Sequence, residues 1–151
     1  MMIKIICIGK VKEKFFQDAI NEYKKRISKY TKLEIIELPD YNYDVKKTIE
    51  KEYQEIIKVF NKLDYNILLD ISGNNIDSVG LAKKIDDILV QNSNITFIIG
   101  GSFGVIDKLR ELCDYRLSFS KMTFPHQLFR VILLEQLYRA FKINNHEEYH
   151  K

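Results

Sequence analysis

Phe119-Ser120-Lys121-Met122-Thr123-Phe124-Pro125-His126 joins a short apolar strand pattern, Tyr115 to Ser118, to the most apolar helical pattern of the chain, Leu128 to Lys142. The proline stands where a helix should start, a position at which its fixed φ costs nothing and its missing N–H is not needed. The loop before it is mostly small, polar or aromatic. A helix amino terminus presents free N–H groups and a positive dipole end, so the junction suits a polar or anionic ligand.

The helix that follows is two-sided. At about 100° per residue, Glu135, Gln136, Arg139 and Lys142 share one stripe, which reads as the solvated face. Leu133, Leu134, Leu137, Tyr138 and Phe141 fall opposite, with Arg130 among them and His126 one turn earlier. An arginine on an apolar face needs a partner. Two readings stay open. One is a structural ion pair with a carboxylate elsewhere in the fold. The other is a planar fork aimed at a ligand's phosphate or carboxylate.

Toward the amino terminus, strand and helix patterns alternate. Met2 to Ile8 is apolar except for Lys4 and stops at Gly9, as a buried strand does. Phe16, Ala19, Ile20, Tyr23 and Ile27 mark a helix whose other side carries Lys12, Lys14, Lys24, Lys25, Arg26 and Lys29. That side is a solvated face or an electrostatic footprint for RNA. Leu33 to Leu38 is a second strand, and Val45 to Phe60 a second helix. Asn66 to Ile71 is a third strand, expected to end in a turn at Ser72-Gly73-Asn74-Asn75. A helix capped by Asp77 or Ser78 runs to about Val90, and a strand covers Ile95 to Ile99. A short helix from Ile106 to Leu112 leads to the fifth strand. The alternation predicts a single α/β domain over residues 1–151, with a mostly parallel sheet and helices on both faces. Ligands of such sheets sit beyond the carboxyl ends of the strands. The loops after Ile71 and Ile99, and Phe119 to Pro125, are therefore the candidate site.

Composition narrows the class. The chain has 151 residues, 46% apolar and 30% charged, enough for one folded core. Its net charge of +3 permits contact with nucleic acid without arguing for it. Cys7 falls in an apolar strand pattern and Cys113 in a helix pattern, and both read as core thiols of a reducing compartment. The apolar run Ile5 to Ile8 is too short for a signal peptide or a span, so a cytoplasmic protein is expected.

Other motifs are weaker than they look. Gly100-Gly101-Ser102-Phe103-Gly104 has neither the dinucleotide spacing nor the Lys-Ser/Thr of a P-loop. It offers either a tight turn or a backbone that a ligand approaches closely. His146-Glu147-Glu148-Tyr149-His150 matches H-E-x-x-H, but it follows the helix-ending pair Asn144-Asn145. A zinc site needs that motif on a supported helix, so no metal is expected. Tyr149-His150-Lys151 reads as a frayed tail, or as an aromatic, an imidazole and a cation able to meet a base and a phosphate.

Several of these stretches together resemble one family. They are Leu69-Asp70-Ile71-Ser72-Gly73, Ile98-Ile99-Gly100-Gly101-Ser102-Phe103-Gly104, Leu117 to His126, Leu134-Glu135-Gln136-Leu137-Tyr138-Arg139-Ala140 and Tyr149-His150-Lys151. With Ile8-Gly9-Lys10 they resemble the ribosomal RNA large-subunit methyltransferase H family of the SPOUT superfamily, over the whole chain. The segment from Tyr41 to Tyr53 is shorter than the family pattern.

The resemblance implies a homodimer with a deep trefoil knot near the carboxyl terminus, which periodicity alone would not suggest. It implies S-adenosylmethionine as donor, bound by Leu69, Gly100, Phe119, Ser120, Lys121, Met122, Thr123 and Phe124. The acceptor it implies is N3 of a pseudouridine in large-subunit ribosomal RNA. His126 and Arg130 are then candidates for organising the acceptor side. Tyr149 and His150, with Lys151, are candidates for closing the partner subunit's site. Two alternatives remain: a ribosome-associated binding protein that lost the chemistry, and a SPOUT enzyme acting on another nucleotide.

Overall fold

The computed structural model describes residues 1–151. Five strands and five helices alternate: β1 (Met2–Ile8), α1 (Lys14–Ile27), β2 (Lys32–Leu38), α2 (Val45–Val59), β3 (Tyr65–Asn75), α3 (Ser78–Gln91), β4 (Asn94–Ile99), α4 (Asp107–Leu112), β5 (Tyr115–Ser118) and α5 (His126–Asn144). The strands form one sheet in the order β2-β1-β4-β3-β5, and every pairing is parallel.

The strand side chains alternate between two apolar layers, as the pleat requires. Ile3, Ile5 and Cys7 of β1 join Ile20, Ile85, Leu133 and Leu137 in the larger core, under α1, α3 and α5. Ile6 and Ile8 join Ile56 and Leu109 in the smaller one, under α2 and α4. The connections β1 to β2 and β3 to β4 step one way along the sheet; β2 to β3 and β4 to β5 step the other way. Helices on opposite faces are what a single crossover hand demands of opposite steps. α5 packs against both α1 and α3.

One element departs from expectation. β3 does not turn at Ser72 but continues through Asn75. Its pairing with β5 jumps from Leu69–Leu117 to Asn74–Leu117, a bulge that keeps the strand beside β5. Side chains replace part of the lost ladder: Asn74 Nδ2 donates to Arg116 O at 3.3 Å and Asn75 Nδ2 to Ser118 O at 3.0 Å. Gly73 permits this route, because a Cβ there would fall 2.7 Å from the carbonyl carbon of Arg116.

α5 begins at His126, with Pro125 as the residue before it, and ends at Asn144 as the Asn144-Asn145 pair suggested. His146 then adopts a left-handed φ of 57°. His146 N donates to Ile143 O at 3.1 Å and Glu147 N to Lys142 O at 3.0 Å, which closes a Schellman turn. The H-E-x-x-H residues therefore lie in a helix stop and not on a helix. The tail is clasped rather than frayed. Tyr149 Oη donates to Glu135 Oε1 at 3.1 Å, its ring meets Tyr138 edge-on at 4.9 Å, and Arg139 lies 4.7 Å over it.

A Gly73→Ala substitution is expected to lower unfolding stability by about 1–3 kcal/mol, the usual cost of forcing atoms into filled space. Urea denaturation followed by circular dichroism measures it; an unchanged midpoint would contradict the close approach of β3 to β5.

Candidate active site

All five strands point the same way, so their carboxyl ends share one rim. There the bulged stretch of β3 at Leu69–Ile71 and the loops after β4 and β5 surround a cleft of about 290 Å³. Of the donor-binding residues named from sequence, all but Lys121 line it, and His126 lines it too. Lys121 lies exposed on the same loop.

Each wall has a local cause. On the β5–α5 loop, Ser118 Oγ donates to Ser120 O at 3.1 Å and Met122 N to Ser120 Oγ at 3.0 Å, which folds the loop over the rim. Phe119 and Phe124 flank Phe129 of α5 at 5.1 and 5.9 Å, so aromatic packing sets that wall. After β4, Gly104 at φ +82° donates to Gly101 O at 3.1 Å and closes a tight turn with Ser102 and Phe103 at its tip. The glycine run is thus both a tight turn and a wall of the cleft.

The β3 corner carries charge. Asp70 Oδ1 accepts from Ser72 N at 3.0 Å and Ser72 Oγ at 2.8 Å; Oδ2 accepts from Arg110 Nε at 2.9 Å. Burial raises the Asp70 pKa, but the two bonds from Ser72 and the Arg110 guanidinium outweigh it, leaving the carboxyl below its usual range. Asp70 and Arg110 both line the cleft, and sequence reasoning selected neither as a site residue.

His126 opens α5 with its Nε2 3.2 Å from Ser102 Oγ, which ties the helix start to the glycine turn. Burial lowers its pKa, and the Arg130 charge lowers it further. It therefore stands as the neutral imidazole at pH 7.

Arg130 faces away from the cleft. It is 2% exposed, and its Nη1 donates to Glu37 Oε2 at 2.8 Å. Its Nη2 donates to Ile8 O and Gly9 O, each at 2.8 Å. Of the two readings the pattern left open, this geometry is the structural ion pair. It also binds the ends of β1 and β2 to the first turns of α5. Gln127 adds to the seam, its Oε1 accepting from Lys12 N at 3.1 Å and Glu13 N at 3.3 Å.

Tyr149 and His150 are not brought to their own chain's cleft. His150 Nδ1 lies 3.2 Å from Arg139 Nη1, on the outer stripe of α5.

Glu52 escaped sequence analysis altogether. On α2, it is 4% exposed, with Oε1 unpartnered, and it presses on Gly101: a Cβ there would fall 2.9 Å from its carboxyl carbon. Burial raises its pKa, a backbone bond from Tyr41 opposes that, and Asp40 adds to it. A signal was present, since Glu52 lies between Thr48 and Ile56 at four-residue spacing, on the buried side of α2.

Residues 1–150 match the family described as "Predicted SPOUT methyltransferase". Two proteins named "Ribosomal RNA large subunit methyltransferase H", from Clostridium perfringens and Clostridioides difficile, are each 50% identical over 100% of both chains. A Haemophilus influenzae structure, described as "a probable methylase family protein", superposes with a TM-score of 0.59 at 16% identity, over 99% of this chain and 70% of that one. The chain belongs to the SPOUT methyltransferase family, and within it to the group of the ribosomal RNA large subunit methyltransferase H proteins. The alignments span 159 positions against 151 residues here, so this chain carries gaps relative to its relatives.

Arg130→Met is expected to cost about 1–3 kcal/mol of stability, because it leaves the Ile8 and Gly9 carbonyls without their side-chain donor. Thermal unfolding measures this. In the native protein, an NMR titration of His126 should give a midpoint below 6.5; a midpoint above that value would overturn the neutral imidazole.

Proposed function

We propose that this protein transfers a methyl group from S-adenosylmethionine to N3 of a pseudouridine in large-subunit ribosomal RNA. The observation that carries the reading is the meeting of the β3 bulge and two strand-end loops in one cleft, in a chain of this family. The cleft is at the small end of the ligand-pocket range, and its walls mix aromatic rings with loop backbone, which suits a folded nucleoside. Leu69, Gly100 and the run Phe119 to Phe124 hold the donor.

The sulfonium methyl is already activated, so the chain's task is alignment and exclusion of water. Phe119, Phe124 and Phe129 shield the donor's apolar side. The N3 proton must leave, and a neutral His126 at the cleft wall accepts it. Arg130 is a positioning residue here: by fixing the first turns of α5 to β1 and β2 it keeps His126 facing the cleft.

The finer features of the reading are a homodimer built on α5, a deep trefoil knot and a cytoplasmic site of action on the ribosome or its large subunit. α5 lies between α1 and α3 while β5 lies at the sheet edge, so residues 119–125 must cross the end of β3. That crossing supports the knot. The Tyr149 clasp holds Tyr149, His150 and Lys151 on the outer stripe of α5, next to the proposed interface, from which they close the partner's cleft.

Calorimetric titration with S-adenosylmethionine should show binding; an RNA-binding protein without chemistry would give no heat. His126→Ala should lower turnover about 10²-fold, within the usual span for a general base. Turnover of the native protein should fall as pH drops through the His126 midpoint, since protonation removes the base, and His126→Ala should lack that limb. Near-normal methyl transfer in His126→Ala, Arg130→Ala and a chain cut before Tyr149 would together overturn the residue assignment. Mapping the methylated base in cells lacking the protein tests the acceptor.

A further inference from the structure

Glu52 has no part in the reading above, and its surroundings are unusual. It is a carboxyl group on the buried side of α2, with no cation beside it and one oxygen without any partner. Such a group costs stability. Across from it is the glycine turn. Gly101 has no Cβ, so its backbone lies directly against the carboxyl group. In the same turn the amides of Ser102 and Phe103 make no hydrogen bond within the chain. An acceptor lacking a donor thus lies against a turn whose Ser102 amide has no partner within the chain, and that turn forms part of the cleft wall. Glu52 itself does not line the cleft; it touches the turn from behind.

We propose that Glu52 is a positioning residue for the donor loop: when donor fills the cleft, the Gly101–Ser102 peptide turns its N–H onto the free Glu52 oxygen and locks the turn against the ligand. The inference rests on the methyltransferase reading. It explains why an acid stands where an apolar residue would pack better. The cost is carried by the empty protein and relieved on binding, as at other strained functional sites. It also explains why residue 101 is a glycine: any side chain would push the carboxyl group away.

Glu52→Leu and Glu52→Gln separate this role from a merely structural one. Leucine fills similar space and removes the orphaned acceptor, so Glu52→Leu should unfold at the same or a higher temperature. Its dissociation constant for S-adenosylmethionine, by calorimetry on the full chain, should rise up to about tenfold, the scale of one lost hydrogen bond. Turnover at saturating donor should stay within about threefold, because the reacting atoms are untouched. Glu52→Gln keeps an oxygen acceptor and should bind donor within about threefold of the native protein. Unchanged donor affinity in Glu52→Leu would overturn the proposal. Weakened affinity together with a matching drop in unfolding temperature would also overturn it, by showing a structural prop. Absence of donor binding by the native protein would remove the methyltransferase reading, and this inference with it.

Discussion

The Arg130 guanidinium sets the frame on which the site is built. It donates to Glu37 and to the carbonyls of Ile8 and Gly9, which are the carboxyl ends of β2 and β1. α5 must therefore pass over the carboxyl ends of β1 and β2, although β5, the strand before it, lies at the opposite edge of the sheet. The intervening residues have to span the rim. In doing so they become the third wall of a cleft whose other walls are the bulge of β3 and the turn after β4. A buried arginine with one partner removed is strongly destabilising, so the same contacts that place the wall also hold it there.

Electrostatics divides the rim into two parts. At the β3 corner, Asp70 is kept ionised by Ser72 and Arg110. At the α5 corner, His126 is kept neutral by burial and Arg130. In the reaction proposed above, the acceptor loses its proton to the base on one side, and the charged corner lies on the other. Groups whose environments push their titrations apart often divide acid and base roles between them.

Much of this was legible in the residues. Periodicity placed every strand and helix, because most are one-sided or fully buried and end at glycine, proline or paired asparagines. Strand order was not legible, since it depends on which strands pair across the sheet, and period-2 patterns look alike for any neighbour. β3 ran past its expected end because Ser72-Gly73-Asn74-Asn75 reads locally as a turn; only contact with Arg116 shows that the glycine serves a bulge. Arg130 stood out as a cation on an apolar face. Glu52 breaks the same rule on α2, but it is surrounded in sequence by Lys51, Tyr53 and Glu55 and blends into a polar stretch. The tail's order depends on Glu135, fourteen residues before Tyr149, and no local pattern reports such a clasp.

The opposite rim is built differently. There Asp64 is almost wholly buried and bonds Lys4 of β1 at 3.1 Å and Thr96 of β4 at 3.0 Å, with Asn94 at 3.3 Å. One carboxylate bolts the central strands together at the end far from the cleft. The sheet thus has a clasp at each pole, Asp64 at the amino ends of its strands and Arg130 at the rim that carries the cleft. Substitutions in the cleft loops leave the Asp64 clasp untouched, whereas those that disturb Arg130 loosen the sheet and the cleft together.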